Sequence, residues 1–481
     1  MNRIKKYLLD DNDSTAKAAL FYMLCTFFTK AIAFISTPIF TRLLSKSDFG
    51  TVTNFYAWVA ILTPIITLDL RNTINRSKYT FREDNETYLK TILLTSNIVI
   101  LLCWFIVELN SAAFINIFSL DMKYIRVLFL YLLFNCAFDY QQIQYQIYKK
   151  YKIYVFYTII SAFFSMLFSV LLVLCIEDKL AGRIYGMMIP IIIVDIIIYC
   201  SIVKKGKRFN AAYAKYAICM AVPLIPSTLS STLLNASDKI IITQFCGSVD
   251  TALYSVAYSV AAIAAVVWGG LNQAWAPWLL DSLDKKNFEG IKSISKKMII
   301  AYSGLIVLLM LFAPEIVLIM GGSQYSEAIA VMPPVILAMM VNFLCAFNFD
   351  VAYFYGETYR ISIGAILAAL INVVLNYMFI PKFGYIAAAY TTLVGYLFLY
   401  CYDVWLVRVK MKKAFVFDNL FFCELLVAIG IIQVFVGFLY SFTVLRIVVI
   451  GLYAIALIIV LYMNKDMVTK LIKEKLLKKA K

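Results

Sequence analysis

The sequence predicts an all-α polytopic membrane protein with 14 transmembrane helices, built as two pseudo-symmetric six-helix bundles plus a final helix pair, with both termini cytoplasmic. Composition is the first reason, because 63% of the 481 residues are hydrophobic and only 15% are charged, against roughly 25% in a soluble domain. The lengths of the apolar runs and the alternation of positive charge between the connections are the second and third reasons.

Each apolar run is long enough to cross a bilayer, which takes about 20 mostly apolar residues. An even number of such spans places both ends of the chain on the same side of the membrane. In chain order the predicted spans are 18–41, 51–70, 88–108, 124–147, 152–175, 184–203, 215–236, 251–275, 297–319, 328–355, 361–380, 385–406, 419–440 and 443–463.

Positive charge sets the orientation, because Lys and Arg concentrate in cytoplasmic connections. With both termini inside, the predicted cytoplasmic segments hold 34 of the 44 Lys and Arg, the outer segments hold 9, and Lys30 lies within the first span. The polar segment 1–17 predicts no cleavable signal peptide, because the first apolar run continues as a full span.

The basic tail, residues 465–481, carries seven Lys with Leu and Ile between them. This pattern is typical of an amphipathic helix that lies on a membrane surface. We therefore expect anionic lipids as partners of the tail. The net charge of +16 follows from topology and this attraction, so we expect no nucleic-acid partner.

Two internal sequence repeats predict the two six-helix bundles. Residues 136–140, Cys-Ala-Phe-Asp-Tyr in the fourth span, recur as residues 345–349, Cys-Ala-Phe-Asn-Phe in the tenth. A weaker echo pairs Thr41 with Thr243, Asp48 with Asp250, and Tyr56 with Tyr258. Because each half has an even number of spans, the repeats are parallel, as in many transporters. The predicted domains are an N-terminal six-helix bundle at 1–210 and a C-terminal six-helix bundle at 211–412. The final helix pair and the basic tail form the third part, 413–481.

Composition also excludes several kinds of chemistry. The chain has no His, the commonest metal ligand and general base, so zinc hydrolysis and Ser/His/Asp catalysis are excluded. Its ten Cys stand singly without a Cys-x-x-Cys pair, and it has no G-x-x-x-x-G-K-[ST] motif of a P-loop ATPase. The sequence therefore predicts a transporter, not an enzyme, with no cofactor beyond a coupling proton or sodium ion.

Polar residues inside predicted spans are the candidate functional residues, because they are costly in lipid. Lys30 lies near the middle of the first span. It either lines a water-filled cavity and faces an anionic substrate, or is the buried partner of an acid such as Asp139, Asp195 or Asp350.

The fourth span carries a polar stripe, Asn135, Asp139 and Gln142, on one helix face. The stripe either lines a cavity and meets sugar hydroxyls, or forms hydrogen bonds between helices. Asn342, Asn348 and Asp350 occupy the equivalent place in the tenth span.

Asp238 and Lys239 lie near the predicted outer end of the seventh span. They either contact substrate or form an outer gate, or they are a solvated ion pair that contributes less than about 1 kcal/mol.

Two segments carry motifs of a known family. In residues 40–50, Arg42 precedes a short connection that holds Asp48, Phe49 and Gly50. In residues 238–258, an Asp-Lys pair and three Ile precede Gly247 and the run Tyr254-Ser255-Val256-Ala257-Tyr258. With the span pattern, these motifs resemble the polysaccharide (O-antigen type) flippases of bacteria. That family belongs, with lipid II flippases and MATE-type drug exporters, to the multidrug/oligosaccharidyl-lipid/polysaccharide exporter superfamily.

The resemblance implies a flippase that moves undecaprenyl-diphosphate-linked oligosaccharide across the bacterial plasma (inner) membrane, for O-antigen, capsule or exopolysaccharide synthesis. It also implies a cationic cavity for the pyrophosphate. Lys30 matches the position of a cavity Arg in the lipid II flippases, so the resemblance assigns this role to Lys30 and extends it to Arg42. A polysaccharide polymerase and a chain-length regulator are the expected protein partners.

Three other functions stay open at this point. A MATE-like ion-coupled exporter of cationic drugs would need acids without a central cation, so Lys30 argues against it. A membrane glycosyltransferase or polysaccharide polymerase would place catalytic groups in sizeable outer loops, whereas every predicted outer loop is short. A scaffold without transport activity in the glycan-assembly complex is the third alternative.

Overall fold

The computed structural model of the protein describes residues 15–82, 84–413 and 416–463, and all regular structure in these ranges is helical. The predicted surface helix of the tail lies outside the described residues. The first half contains α1 (Thr15–Leu43), α2 (Lys46–Ile66), α3 (Ile74–Thr80), α4 (Asn85–Leu109), α5 (Ser111–Phe118), α6 (Met122–Ile147), α7 (Tyr151–Cys175) and α8 (Lys179–Lys205).

The second half continues with a comparable series of helices, followed by the final pair. These helices are α9 (Ala211–Ala221), α10 (Ile225–Cys246), α11 (Ser248–Asp284), α12 (Phe288–Leu311), α13 (Ala313–Gly321), α14 (Met332–Phe354), α15 (Thr358–Phe383), α16 (Tyr385–Trp405), α17 (Asn419–Leu439) and α18 (Thr443–Met463).

Twelve helices in the described residues are long and apolar enough to cross a membrane, which confirms a multi-pass membrane protein. Two predicted spans fall outside that number. The fourth corresponds to α6, which has 26 residues but carries the polar stripe. The fourteenth corresponds to α18, of which the stretch with described side chains, Thr443–Ile455, is apolar. The total of fourteen spans and the orientation of the termini stay predictions.

Proline interrupts two of the predicted spans. The seventh consists of α9 and α10, joined by a 3-10 turn over Val222–Leu224 that contains Pro223. The ninth is also divided between two helices. α12 ends at Leu311, and α13 begins at Ala313 with Pro314 in its first turn. Because proline lacks an N–H and clashes with the preceding turn, a helix bends or restarts at such positions.

Small residues allow α7 and α8 to pack closely. A Cβ on Gly186 would lie 2.5 Å from the Cα of Ser169, and one on Gly182 would lie 2.9 Å from the Leu172 carbonyl oxygen. Ser165 and Ser169 donate hydrogen bonds to backbone carbonyls of α8, each at 3.1 Å. In lipid, such packing and hydrogen bonding hold helices together where the hydrophobic effect does not.

Buried apolar side chains form two large clusters. One draws on residues 52–202 together with Ala217 and Ala221. The other draws mainly on residues 234–439, with a few members from the first half such as Phe40 and Phe49. This distribution follows the predicted halves, although the limits of the domains stay predictions. A small third cluster, Ala57, Ile61, Ala236 and Ile240, joins α2 to α10.

Candidate functional site

The first candidate pocket lies between α1 and α11, one helix from each half. It has a volume of about 560 Å³ and is lined by apolar side chains, Thr37, Ser259 and Lys30. Lys30 is exposed, and none of the ion pairs among the described residues includes it. The pocket therefore presents an ammonium group without a protein counter-charge.

The second pocket lies between α2 and α10 and has a volume of about 430 Å³. Its polar lining includes Tyr56, Asn235 and Lys239, with the hydroxyl groups of Ser231 and Thr232. The Lys239 ammonium lies 5.1 Å from the centre of the Tyr258 ring, within the range of a cation–π contact. The Tyr258 hydroxyl donates to Asn235 Oδ1 at 2.9 Å, which joins this ring to a residue of the pocket lining.

A buried carboxylate lies behind the second pocket. Asp238 is 1% exposed and accepts three hydrogen bonds, from Tyr254 at 2.6 Å, Thr392 at 2.7 Å and Asn376 at 2.6 Å. Asn376 in turn contacts Thr391 and Asn372. The Asp238 cluster is defined here as Asp238, Tyr254, Asn372, Asn376, Thr391 and Thr392. It joins α10, α11, α15 and α16 through polar side chains in the interior of the second half.

Asp238 and Lys239 are adjacent in sequence, but their side chains enter different environments. Asp238 enters the cluster, whereas Lys239 lines the pocket beneath Tyr258. None of the ion pairs among the described residues joins them. The structure therefore disagrees with the solvated ion pair that the sequence left open, because consecutive helical residues point about 100° apart.

Hydrogen bonds to backbone carbonyls close the molecule at the α1–α2 connection, on the predicted outer side. Thr41 donates to the Met320 carbonyl at 2.6 Å, and Arg42 donates to the Ile319 carbonyl at 2.9 Å. Gln324 donates back to the Thr41 carbonyl at 2.8 Å. These bonds join α1 of the first half to the α13 region of the second half.

The same side also brings the first turns of α2 and α11 together. The Ser47 and Ser248 hydroxyl oxygens are 2.7 Å apart. A Cβ on Gly50 would lie only 1.7 Å from the Ser248 carbonyl oxygen. Gln244 of α10 donates to the Ile117 carbonyl of α5 at 2.9 Å. We call this group of contacts and those of Thr41, Arg42 and Gln324 the outer seal.

A smaller contact joins the halves at the opposite, predicted cytoplasmic, side. Thr228 of α10 donates to Asp69 Oδ2 at 2.7 Å, and Asn72 donates to the same oxygen at 2.6 Å. Arg71 lies 3.2 Å from Asp69 Oδ1. Leu68 and Asp69 both have left-handed backbone conformations, which these bonds to Asp69 hold in place.

Two acids outside the spans fix connections on that side. The Thr87 hydroxyl, the Tyr213 hydroxyl and the Lys207 ammonium hold the pKa of Asp84 below its ordinary value. Lys296, 2.6 Å from Asp418, lowers the pKa of that carboxyl, and the Phe421 N–H adds to the effect. Asp418 thereby caps α17 and ties it to α12.

A family model described as polysaccharide biosynthesis protein matches residues 15–283, more than half of the chain. The chain belongs to this family. An uncharacterised membrane protein of Methanocaldococcus jannaschii is 24% identical to this family member over 311 residues, which is 58% of the chain. The chain spans about 60% of the length of that curated relative.

Two solved structures of membrane proteins share the fold of this polysaccharide biosynthesis family member. The lipid II flippase MurJ, in an inward closed conformation, has a TM-score of 0.68 at 15% identity, over 94% of this chain and 100% of that one. An inward-facing multidrug resistance MATE family transporter of the MOP superfamily has a TM-score of 0.59 at 12% identity, over 80% and 95%. These likenesses show a shared fold, and membership of the exporter superfamily stays a prediction.

The predicted site residues of this family member do not form one site. Lys30 and Lys239 line the two pockets between the halves, whereas Arg42 belongs to the outer seal. Within the first half, Asn135 donates to Asp195 at 3.2 Å and Gln142 donates to Thr158 at 3.0 Å. Asp139 lies between these two on α6 and is partly buried. Asn135 and Gln142 thus make the interhelical hydrogen bonds that the sequence left as an alternative.

The tenth-span residues lie on α14 inside the second half. Asn348 is fully buried, and its Nδ2 donates to the Leu344 carbonyl of its own helix at 3.4 Å. Asp350 is partly buried, and its Oδ2 has no hydrogen-bond partner among the described residues. Asn342 is partly buried on the same helix. None of the three lines the pockets that contain Lys30 and Lys239. Their predicted role toward substrate stays a prediction.

Sequence reasoning missed several residues of this region. Asn372 and Asn376 stand one turn apart in an apolar span, a signal equivalent to the stripe on α6. Arg183 is 9% exposed, donates to Ser169 at 2.7 Å and stacks on Phe40 with its guanidinium carbon 3.5 Å from the ring centre. Because Arg183 lies at a predicted span end, it was indistinguishable from an ordinary interfacial cation.

Proposed function

We propose that this protein is a flippase for a lipid-linked oligosaccharide. It would move an undecaprenyl-diphosphate-linked glycan from the cytoplasmic to the outer leaflet of the bacterial plasma membrane by alternating access. The family membership and the fold shared with a lipid II flippase support this proposal. No covalent bond is made or broken in such a reaction, so the protein needs only to bind, enclose and release its substrate.

The observation that carries the proposal is the pair of unpaired lysines between the halves. An ammonium at membrane depth costs about 2.5–3.5 kcal/mol on insertion scales. Lys30 and Lys239 each line a pocket formed by one helix of each half, and neither has a carboxylate partner among the described residues. A diphosphate would supply the missing negative charge, and its attraction to these cations strengthens as water is excluded.

The polar groups around Lys239 suit the remainder of a glycosyl diphosphate. Asn235, Ser231 and Thr232 offer amide and hydroxyl groups on the same pocket wall, and Tyr56 and Tyr258 offer aromatic faces. Sugars are bound by this combination of hydrogen bonding and flat apolar surface. We therefore assign the phosphates to the lysines and the first sugar to the wall near Asn235.

Contacts at both ends of the site support alternating access. The outer seal closes the α1–α2 side, and the hydrogen bond from Thr228 to Asp69 joins the halves at the other side. Opening toward either leaflet breaks one set of polar contacts and leaves the other intact. The substrate would tip this balance by binding one arrangement more tightly than the other.

The Asp238 cluster is proposed as the site of a coupling sodium ion or proton. Its carboxylate is buried, no ion pair among the described residues includes it, and the Asn376 amide N–H and the hydroxyl groups of Tyr254 and Thr392 donate to it. Oxygen atoms are the ligands of hard cations, and side-chain rotation converts the present donors into such ligands. Because the cluster joins four helices of the second half, occupation by an ion would change how they pack.

The finer topology belongs to the same proposal. We place fourteen spans in the membrane with both termini in the cytoplasm, and we expect a polymerase and a chain-length regulator as partners. Reporter fusions at Lys481 should be active only with a cytosolic reporter. Activity of an externally active reporter at that position would contradict the orientation and the number of spans.

A drug exporter is the rival suggested by the fold shared with a MATE transporter. It would bind organic cations, which the ammonium groups of Lys30 and Lys239 would repel. Export of a cationic dye by the purified protein in liposomes, without movement of a lipid-linked glycan, would favour the exporter. A glycosyltransferase or polymerase would instead change the length or composition of the glycan, which mass spectrometry of the lipid fraction would detect.

The decisive experiment changes each pocket lysine and measures lipid-linked glycan separately in the two leaflets at matched protein amounts. Lys30→Ala and Lys239→Ala should insert normally and accumulate glycan in the inner leaflet. Lys30→Arg should retain much of the activity, because charge matters more than shape for a loosely held phosphate. Lys382→Ala, at an exposed helix end, is the matched control. Normal transport by both alanine variants would refute the cationic site.

The ion site has its own test in liposomes with imposed sodium or proton gradients. Asp238→Asn should abolish the dependence of transport on the gradient while leaving binding of a soluble glycosyl diphosphate intact. Asp350→Asn, which changes a partly buried acid of the second half, is the control and should keep the dependence. A gradient dependence unchanged in Asp238→Asn would place the coupling site elsewhere.

A further inference from the structure

The first half contains a buried carboxylate, Asp195 on α8, that the proposed function does not use. Asp195 is fully buried, at 0% exposure. Its Oδ2 accepts a hydrogen bond from Asn135 at 3.2 Å, whereas its Oδ1 has no partner among the described residues. None of the ion pairs within the described ranges includes Asp195. An ionised carboxylate in this position would be an uncompensated buried charge, which protein interiors avoid.

The groups that surround Asp195 do not supply a positive charge. On α6, the neighbouring titratable groups are Asp139, Tyr131 and Cys136, and Tyr56 of α2 lies beside Tyr131. α4 approaches with the amide of Asn97, which donates to Tyr199 of α8 itself. α7 presents serine hydroxyls to α8, at Ser165 and Ser169. Arg183 is on the same helix, but twelve residues away, which is about 18 Å along the axis.

We propose that Asp195 is a proton-binding site of the first half, distinct from the Asp238 cluster. A metal cation needs several oxygen ligands, and the Asp238 cluster offers them, whereas the Oδ1 of Asp195 has no hydrogen-bond partner among the described residues. A proton needs only that one oxygen. A neutral carboxyl group in this environment also removes the buried charge, at the smaller cost of one unpaired polar hydrogen.

Asp139 provides the route by which the proton exchanges. It lies one helical turn from Asn135 on α6, and it interacts electrostatically with Asp195 on one side and with Arg71 and Asp69 on the other. The side chain of Arg71 is 41% exposed, so water reaches this end of the path. In the transfer, side-chain rotation would first bring the two carboxyl groups within hydrogen-bond distance; the O–H bond on Asp195 then breaks and a carboxylate oxygen of Asp139 takes the proton. Asp139 then releases it to water near Arg71, and the charge on Asp195 becomes −1.

This assignment gives two residues of the predicted stripe, Asn135 and Asp139, a different role. Asn135 positions Asp195, and Asp139 exchanges protons, so neither residue would contact glycan. The contact between Asp69 and Thr228, which joins the two halves, lies at the entrance of the same path. Proton release would thus occur where the halves meet on the predicted cytoplasmic side.

The test is infrared difference spectroscopy of the full-length protein in liposomes, between acid and alkaline buffer, without glycan substrate. The wild type should show the carbonyl band of a protonated carboxyl group in an apolar environment, and the band should disappear as the pH rises. Asp195→Asn, which keeps the shape of the side chain, should lose one carboxyl group of this signal. Asp178→Asn, at an exposed helix start, should keep it.

Asp139→Asn is the second variant, and it keeps the proposal testable if Asp195→Asn does not fold. Removing the like charge should move the midpoint of the Asp195 band to lower pH and slow its hydrogen–deuterium exchange, which a purely structural role would not do. An apolar carboxyl band of unchanged intensity in Asp195→Asn, or one whose midpoint and exchange rate Asp139→Asn leaves unchanged, would overturn the proposal. Because no glycan is present, either result is independent of whether the protein is a flippase.

Discussion

Gly50→Ala is the most direct test of the outer seal. The change adds one methyl group where the first turn of α2 meets the first turn of α11. The new Cβ would lie 1.7 Å from the Ser248 carbonyl oxygen, whereas ordinary contact begins at 3.4 Å. The two helix ends must therefore separate by about the difference, 1.7 Å, for the variant to fit.

The size of the effect follows from what the methyl group meets. Its neighbour is a backbone carbonyl, so no rotamer change relieves the clash. Overpacking of this kind costs about 1–3 kcal/mol. Because the cost applies only while the seal is closed, the closed arrangement should lose a factor of roughly 5 to 150 in population. The variant should still insert and fold, since an arrangement with the helix ends apart accommodates it.

Cross-linking measures this shift. The Ser47 and Ser248 hydroxyl oxygens are 2.7 Å apart, so Cys at both positions in a Cys-free background should form a disulfide rapidly on oxidation. Gly50→Ala should slow that reaction strongly. Gly437→Ala on α17, where an added Cβ meets nothing within 4 Å, is the control and should not. Equal cross-linking rates in the two variants would show that the close approach at Gly50 does not control the seal.

Three further predictions concern packing and charge. Gly186→Leu should separate α7 from α8 and lower the unfolding temperature in detergent far more than Gly430→Leu, whose site is open. Glu315→Ala should destabilise more than the double change with Arg446→Leu, because the single change leaves the buried Arg446, 2.5 Å from Glu315, without its partner; equal unfolding temperatures would contradict this. The folded state lowers the pKa of Asp84. The ionised carboxylate should therefore stabilise the fold fully above its pKa in the unfolded chain, about 3.8, and this stabilisation should be lost below its pKa in the folded protein. Asp84→Asn should therefore flatten the acid limb of a stability–pH curve.

The fold was largely predictable because bilayer thickness imposes a simple length on every span. Apolar run length located the helices, whereas the breaks in the seventh and ninth spans, at Pro223 and Pro314, appear only in the structure. The α6 helix shows the limit of this reasoning. It has the length of a span, but its polar residues lower the hydropathy on which the assignment depends, and only the three-dimensional arrangement shows which neighbours those residues contact.

The candidate site was predictable only in part, because sequence gives the depth of a residue more readily than its direction. Lys30 and Lys239 line pockets between the halves, and their role toward a substrate stays a prediction. Asp238, next to Lys239, instead enters a cluster with residues more than a hundred positions away, such as Asn376 and Thr392. Partners so distant in sequence leave no local pattern, so the cluster could not be assembled from the chain alone.

The outer seal has a consequence for how its sequence can drift. Every acceptor in the bonds made by Thr41, Arg42, Gln324 and Gln244 is a main-chain carbonyl, which each residue type provides. The accepting segments around Ile117 and Ile319 are therefore free to change their side chains without losing a bond. Only the side-chain donors and Gly50 depend on residue type. A saturation mutagenesis scan of this surface should therefore find that few positions lose transport activity on substitution and that most keep it. Distant relatives could therefore keep the same hydrogen bonds at the outer seal while sharing little sequence.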